Sequence, residues 1–186
     1  MNHKGTQPIR TERLFLREIK KSDWRDMTSY TMKEEVARYV SWTVHKSPDE
    51  TKAVCKMWAG EYKNGDRYHW AIVYGGKVIG NIDVVKLIDA TAILGWQIDS
   101  LYWNQGIMTE AATAVLDYMF SQIGIEAAEA CHMSRNIGSG RVMQKIGMKE
   151  IPHRESLHYR LKHETEIDGD PLVSYRITRE EWEEKR

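Results

Sequence analysis

Apolar and polar residues alternate in several short runs of this chain, and a period of two is the pattern of a half-buried β-strand. Such runs predict one strand in the second half of residues 9–19 and a meander of three strands over residues 68–73, 77–85 and 92–98. Gly75 and Gly76 separate the first two strands of the meander and predict a two-residue hairpin turn, because such turns favour positive φ. The middle of the chain is therefore predicted to be antiparallel sheet.

Three helices are predicted between the first strand and the meander, over residues 24–30, 33–39 and 48–64. The third helix has the clearest start. Ser47 is a good N-cap, Pro48 is favoured at the first helical position, and Glu50 lies three residues after Ser47, so we expect a capping box there.

The part of the chain after the meander predicts two helices and three strands, with the helices at residues 109–123 and 139–146 and the strands at residues 126–133, 158–166 and 171–177. The first of these strands follows a helix long enough to be a crossover, so we expect it to run parallel to the last strand of the meander. The last two should form an antiparallel pair around Asp168 and Gly169, before a charged tail that starts at Thr178. The order predicts an α+β (mixed α/β) fold with a mostly antiparallel sheet and one parallel pair.

Composition limits the class of protein. A length of 186 residues predicts a single domain, and 27 basic residues against 27 acidic ones favour neither nucleic acid nor a membrane surface as a partner. No apolar run could span a bilayer, and Met1–Arg10 lacks the apolar core of a signal peptide, so we expect a cytoplasmic protein. Cys55 and Cys131 show no metal-ligand spacing, and we expect buried thiols and no metal site.

Residues Tyr102–Ala111 form the junction between the last strand of the meander and the helix that follows. Such a junction directs several backbone N–H groups and the positive end of a helix at one point, which suits a phosphate or pyrophosphate group. An ordinary loop, with Gly106 placed where the chain needs positive φ, explains these ten residues equally well.

Two blocks of residues closely resemble the acyl-coenzyme A signature of the GNAT acetyltransferases. The first consists of Leu94–Asp99 and Tyr102–Ala111, and the second of Asn136–Ser139 and the run from Val142 to Met148. The resemblance extends from Thr11 to Trp182, and it is strongest to the branch that includes the ribosomal-protein N-terminal acetyltransferases. It implies a GNAT-like fold with a splayed parallel strand pair and helices on both faces of the sheet.

The resemblance also implies acetyl-coenzyme A as the cofactor. In the family the pantetheine arm pairs with the backbone of the strand that matches residues 95–99, and the following loop holds the pyrophosphate, with Thr109 as a cap at the start of the helix. Asn136 would hold the pantetheine amides, and Ser139 would lie near the thiol. The implied cofactor-binding residues are Gln97, Ile98, Trp103, Asn104, Gln105, Gly106, Ile107, Met108, Thr109, Asn136 and Ser139.

The chain departs from the family pattern at two positions that matter. Met108 is bulkier than the usual residue and should be tolerated if its side chain points into the core. Ile93 stands where many members carry a glutamate, which puts a general base from that position in doubt.

The implied chemistry is direct attack of an amine on the thioester in a ternary complex, with Ser139 as the acid and a backbone N–H near Ile98 for the oxyanion. Ser139 could instead be an N-cap, and the two roles are compatible. Glu164, on the late strand that borders the acceptor cleft in relatives, is the leading candidate base. The alternatives are Asp99, which is more typical of a turn, the imidazoles of His132 and His158, and a water relay.

The predicted function is an acetyl-coenzyme A-dependent N-acetyltransferase acting on a primary amine, either a protein N-terminus or a small molecule. Trp42 and Trp96 are the candidates to line the acceptor pocket, although each is also an ordinary core residue. The alternatives are an aminoglycoside, polyamine or amino-acid acetyltransferase and a non-catalytic sensor that binds acyl-coenzyme A. A monomer and a homodimer are both compatible with the sequence.

Overall fold

A computed structural model describes residues 1–40 and 42–185, which contain nine β-strands and seven α-helices. The strands are β1 (Ile9–Arg10), β2 (Phe15–Arg17), β3 (His69–Tyr74), β4 (Lys77–Ile88), β5 (Thr91–Ile98), β6 (Ala127–Met133), β7 (Lys149–Ile151), β8 (Glu166–Ile167) and β9 (Asp170–Thr178). The helices are α1 (Trp24–Thr31), α2 (Glu34–Ala37), α3 (Pro48–Glu61), α4 (Ile107–Tyr118), α5 (Ile137–Lys145), α6 (Leu157–Lys162) and α7 (Arg179–Glu183).

The residues pack into two compact units. The amino-terminal unit consists of His3–Asp83 and Trp96–Ala114, and within it β1, β2, β3 and β4 pair in sequence order, each antiparallel to the next, with β5 beside β4. Its apolar core joins α1, α2, α3 and two strands through the buried side chains of Ile19, Met27, Tyr30, Val36, Cys55, Ala71 and Val78.

The carboxy-terminal unit consists of Met1–Asn2, Val84–Gly95 and the chain from Val115 onward. Its strand order is β4-β5-β6-β9-β7, and β8 pairs with β9. β5 and β6 are parallel, as predicted, and their pairing runs only from Thr91 opposite Ala127 to Ile93 opposite Glu129. β6 continues to Met133 and pairs with β9 along its whole length, so the parallel pair separates beyond Ile93.

The predicted fold class is therefore confirmed: a mostly antiparallel sheet with one parallel pair and flanking helices. β4, β5 and α4 each contain residues of both units, and the single domain over residues 1–186 stays a prediction. Of the helices in the described chain, none is long and apolar enough to cross a membrane.

Three local predictions are wrong. Residues 158–162 belong to helix α6 and not to a strand, because the Ser156 hydroxyl accepts a hydrogen bond from the N–H of Tyr159 and so caps a helix. Ser47 precedes α3 and Pro48 begins it, but the Glu50 carboxylate accepts from the N–H of Lys46, so the capping box is absent there. The predicted charged tail forms α7, with a capping box of its own.

Candidate functional site

The loop between β5 and α4 exposes its backbone just before the helix begins. Trp103, Asn104, Gln105 and Gly106 are exposed, and both Asn104 and Gly106 have positive φ, +60° and +74°. The first intrahelical hydrogen bond runs from the N–H of Glu110 to the carbonyl of Gly106, 3.0 Å away. The N–H groups of the first turn have no carbonyl partner within α4 and can donate to an anion at this exposed end.

The beginning of α4 is anchored by two buried side chains, those of Ile107 and Met108, which are 1% and 6% exposed. Met108 therefore points into the core, which is the condition under which its bulk should be tolerated. The helix begins two residues earlier than predicted, which makes Thr109 its third residue and not its cap. Burial of Ile107 and Met108 accounts for the earlier start, because both must lie on the inner face of the helix.

A three-residue cluster that the sequence reasoning missed holds this loop in place. The Arg13 guanidinium contacts the Glu110 carboxylate at 2.6 Å and donates to the carbonyl of Gln105 at 3.0 Å, while the Thr11 hydroxyl donates to the same carboxylate. Burial acts to raise the pKa of Glu110, but the hydrogen bonds from Thr11 and Arg13 outweigh it, so that the pKa is lowered. Glu110 is therefore ionised at neutral pH, and Arg13 ties the loop to the sheet.

The last residues of β5 lie beside this loop. The N–H of Asp99 donates to the carbonyl of Ile79 on β4 at 2.8 Å. Since backbone groups alternate in direction along a strand, those of Ile98 point away from β4, and the Ile98 carbonyl accepts a hydrogen bond from the indole of Trp103 at 3.0 Å. The Gln97 side chain is 8% exposed and bonds to Asn81.

Asp99 has the turn role that the sequence favours. Its buried carboxylate accepts from the N–H of Leu101 at 3.1 Å and from the Ser29 hydroxyl at 3.0 Å, and it forms an ion pair with Lys33 at 2.5 Å. The Lys33 pairing could not be read from the sequence. Because three donors already engage this carboxylate, it is a poor general base.

The turn between β6 and α5, in the carboxy-terminal unit, carries the second group of candidate residues. The Asn136 side chain accepts a hydrogen bond from the N–H of Ser139 at 3.2 Å, so Asn136 is the N-cap of α5. The N-cap interpretation of Ser139 is therefore wrong: Ser139 is the third residue of the helix and its side chain is partly exposed. The Ser139 hydroxyl therefore does not cap the helix.

The candidate bases of this unit differ in exposure. His132 is partly buried, its Nδ1 lies 2.7 Å from the carbonyl of Met133, and its Nε2 is buried against Gly140. Glu164 lies in the loop after α6, not on a strand, and its carboxylate is 3.5 Å from His158 and 4.0 Å from Lys162. Burial, followed by the charge of Lys162, lowers the pKa of His158, which favours the neutral imidazole.

Ile93 itself carries no carboxylate, but its neighbour across the parallel pair is Glu129. Glu129 is 3% exposed, and its carboxylate accepts from the N–H of Leu157 at 2.6 Å and from Arg176 at 3.4 Å. These bonds attach α6 to the sheet. The only sequence signal for this residue was an acidic side chain in the middle of a strand of mostly small apolar residues.

Neither cysteine is a nucleophile in this structure. Both are free thiols, and Cys55 is buried whereas Cys131 is only partly so. Burial raises the pKa of Cys55 to about 12 and that of Cys131 to about 11, so both remain protonated at neutral pH. Within residues 1–40 and 42–185, no cluster of three or more histidine, cysteine or acidic side chains is placed to hold a metal ion.

The two candidate acceptor-lining tryptophans lie in different surroundings. Trp42 is half-buried against the apolar core of the amino-terminal unit, with its ring 5.3 Å from that of His45. Trp96 is half-buried on β5, and the alternation along the strand places its side chain on the face opposite to that of Gln97. The surroundings of Trp42 thus fit an ordinary core residue. Contact of Trp42 or Trp96 with an acceptor stays a prediction.

Known proteins resemble the chain over most of its length. A family model described as an acetyltransferase (GNAT) domain matches residues 13–149. The chain is 32% identical over 142 residues to the uncharacterized N-acetyltransferase YnaD of Bacillus subtilis, covering 76% of this chain and 82% of that protein. It is 26% identical to a GNAT-family acetyltransferase structure from Bacillus anthracis, with a TM-score of 0.76 and coverage of 94% and 99%.

A third similarity is to the fold alone. The structure of RimL, a ribosomal L7/L12 alpha-N-protein acetyltransferase in complex with coenzyme A, is 16% identical to this chain with a TM-score of 0.76, and the match covers 92% of this chain and 98% of that one.

Proposed function

This chain belongs to the GNAT family of acetyltransferases, and from that premise we propose that it moves the acetyl group of acetyl-coenzyme A to a primary amine, either a protein N-terminus or a small molecule. The observation that carries the proposal is the exposed loop before α4. There, Asn104 and Gly106 turn the backbone through positive φ, and the N–H groups of the first helical turn are available to an anion.

The space above this loop supports the pyrophosphate of coenzyme A as its proposed ligand. Among the described residues other than its chain neighbours, only the Arg13 guanidinium would lie within 4 Å of a Cβ added at Gly106, so the space above this backbone is open to a ligand. In the proposal the backbone from Trp103 to Met108, with the N–H of Thr109, binds the pyrophosphate. The strand segment at Gln97 and Ile98 would pair with the pantetheine arm.

Asn136 and Ser139 complete the proposed cofactor-binding residues. The Asn136 side chain uses its oxygen to cap α5, which leaves its NH₂ group to donate to a pantetheine carbonyl. Because α5 begins at this turn, its first N–H groups create a positive electrostatic potential near Ser139. This potential favours negative charge on a group bound there.

Acetyl-coenzyme A, when bound, supplies an activated thioester. The N–H of Ile98, which points away from β4, would donate a hydrogen bond to the developing oxyanion. The Ser139 hydroxyl would give a proton to the departing sulfur, and Glu164 or a water molecule would take the proton from the amine. The raised pKa values of both thiols support direct transfer without an acetyl-cysteine on the enzyme.

We also propose that residues 1–186 act as one catalytic domain in the cytoplasm, as a monomer or a homodimer. The family model supports the single domain because residues 13–149 include segments of both units. The free thiols of Cys55 and Cys131 are typical of a reducing compartment.

Thiol release from acetyl-coenzyme A tests the function directly. The protein is mixed with acetyl-coenzyme A and a panel of N-terminal peptides, amino-acid amides, polyamines and aminoglycosides, while calorimetry measures cofactor affinity. We expect binding and acceptor-dependent release. Binding without release on any acceptor would indicate a sensor, and absence of binding would contradict both functions.

Replacing Ser139 with alanine should lower kcat by about 100-fold, the usual contribution of a general acid, while lowering cofactor affinity much less. The N–H of residue 139 that donates to Asn136 belongs to the backbone and is unchanged by the substitution. We therefore expect α5 to begin at the same residue. Steady-state kinetics and calorimetry measure the two effects. Ser139→Thr keeps the hydroxyl and should retain most of kcat; an unaltered kcat in Ser139→Ala would remove Ser139 from catalysis.

A further inference from the structure

The Arg67 guanidinium and four buried side chains form a hydrogen-bond chain in the amino-terminal unit, and the mechanism above gives these five side chains no role. A nitrogen of the Arg67 guanidinium lies 3.0 Å from Nδ1 of His69, and Nε2 of His69 lies 3.0 Å from the Asn81 carboxamide. The Asn81 and Gln97 carboxamides are 2.6 Å apart, and the Tyr30 hydroxyl lies 3.3 Å from Asn81. His69, Asn81 and Gln97 are 1%, 5% and 8% exposed.

Arginine determines the direction of every hydrogen bond in this chain. A guanidinium can only donate, so Nδ1 of His69 must accept and cannot carry a proton. Burial, followed by the charge of Arg67, lowers the pKa of His69 well below its usual value, consistent with a neutral ring. The single proton of the ring is then on Nε2, which donates to Asn81.

Asn81 must therefore present its carbonyl oxygen to His69 and its NH₂ group to Tyr30 and Gln97. Gln97 in turn accepts with its own carbonyl oxygen and directs its NH₂ group away from Asn81. The structure places the two carboxamides the other way, with the Gln97 NH₂ group and the Tyr30 hydroxyl donating to the Asn81 oxygen and the Gln97 oxygen pointing outward. A half-turn of both carboxamides exchanges their oxygen and nitrogen positions, gives the arrangement that His69 requires and puts the Gln97 NH₂ group in the outward position. The outward atom of the Gln97 carboxamide is buried and has no hydrogen-bond partner in the part of the chain that the structure describes.

A buried donor without a partner costs about 1–3 kcal/mol, so its presence indicates a partner outside the chain. We propose that the NH₂ group of Gln97 donates a hydrogen bond to a carbonyl oxygen of the acceptor, next to the reacting amine. This inference rests on the proposed function, because it takes β5 as the strand that carries the thioester.

The strand geometry indicates that this carbonyl belongs to the acceptor and not to the cofactor. A ligand that pairs with the backbone of β5 lies in the plane of the sheet, whereas the Gln97 side chain stands perpendicular to it. The Gln97 side chain lies on the same face of the sheet as Asp99, and the Asp99 carboxylate accepts a hydrogen bond from Ser29 of α1. Gln97 also adjoins Ile98, whose N–H is assigned to the oxyanion, and in the proposal the attacking amine lies near both residues. An amino-acid residue at a peptide N-terminus has the required carbonyl, and a polyamine or an aminoglycoside does not.

The test compares tetra-alanine amide with its analogue in which the first peptide C=O is CH₂, for the wild-type protein and for Gln97→Met. Loss of the carbonyl also makes the reacting amine more basic, and this effect is common to both proteins. We therefore expect loss of the carbonyl to lower kcat/KM about tenfold more in the wild type than in Gln97→Met, with equal acetyl-coenzyme A affinity. Gln7→Met, at an exposed glutamine, is the control and should show the same loss as the wild type.

Three results would overturn the inference while leaving the proposed function intact: the same effect of the carbonyl in the wild type and in Gln97→Met, release with carbonyl-free amines only, or an effect of Gln97→Met on cofactor affinity alone. Failure of thiol release with every acceptor would instead contradict the proposed function. ¹⁵N spectra of the histidine ring check the hydrogen-bond directions without activity. We expect the His69 proton on Nε2, and a proton on Nδ1 would also overturn the inference.

Discussion

Gly80→Ala is expected to destabilise the protein by about 3 kcal/mol and to reduce coenzyme A binding severely. A Cβ added at Gly80 would lie 2.4 Å from the carbonyl oxygen of Gln97 and 2.9 Å from Cα of Ile98. Both atoms belong to the backbone of β5, which cannot rotate aside as a side chain can. The substitution must therefore separate β4 from β5 at the residues proposed to pair with the cofactor.

Denaturant unfolding and calorimetry with coenzyme A measure these two effects. Gly60→Ala is the matched control, because Gly60 lies in α3 and, beyond the backbone of its own helix, none of the described residues has a heavy atom within 4 Å of an added Cβ. Alanine is the better helix former, so this variant should be up to about 1 kcal/mol more stable than the wild type. Equal stability of the two variants would show that β4 and β5 are not packed as closely as described.

Gly106→Val should weaken coenzyme A binding by about 100-fold, which corresponds to about 2.7 kcal/mol. The protein itself has room for the new side chain, since only the end of Arg13 lies within 4 Å of the Cβ position, at 3.6 Å. The valine would instead occupy the space assigned to the pyrophosphate. Calorimetry with coenzyme A measures the loss of affinity.

The backbone strain of this change needs its own control. Gly106 has φ of +74°, where a β-branched residue is strained, and Gly169 in the turn between β8 and β9 has nearly the same φ, +75°, with open space around it. Gly169→Val should therefore lose similar stability and keep its full affinity for coenzyme A. Normal affinity in Gly106→Val would mean that the loop has been assigned the wrong ligand.

Local sequence patterns predicted most of the fold, and they did so where local physics decides the structure. Gly75 and Gly76 both have positive φ and form the predicted hairpin turn between β3 and β4. Period-two alternation located β3, β4 and β5, and a one-sided apolar pattern located α4. In each case one element buries one face, so the element can be recognised from its own sequence without knowing which element packs against it.

The wrong predictions concern residues whose structure depends on a competing local bond or a distant group. The segment at residues 158–162 is too short for periodicity to distinguish helix from strand. The Ser156 cap and the hydrogen bond from the N–H of Leu157 to Glu129 stabilise a helix at these residues. At the start of α5, Asn136 and Ser139 are both able to cap, and only the geometry assigns the cap to Asn136.

The sequence by itself determined the fold class, the loop at Tyr102–Ala111 and its likeness to a family of acetyl-coenzyme A enzymes, because these depend on residues close together in the chain. The tertiary structure alone decided which distant groups meet. Arg13 holds the loop through Glu110, Lys33 pairs with Asp99, and Arg67 directs the hydrogen bonds that end at Gln97. The physical reason is that a buried charge or amide is satisfied by whichever group the fold brings near it, and no local pattern encodes that partner.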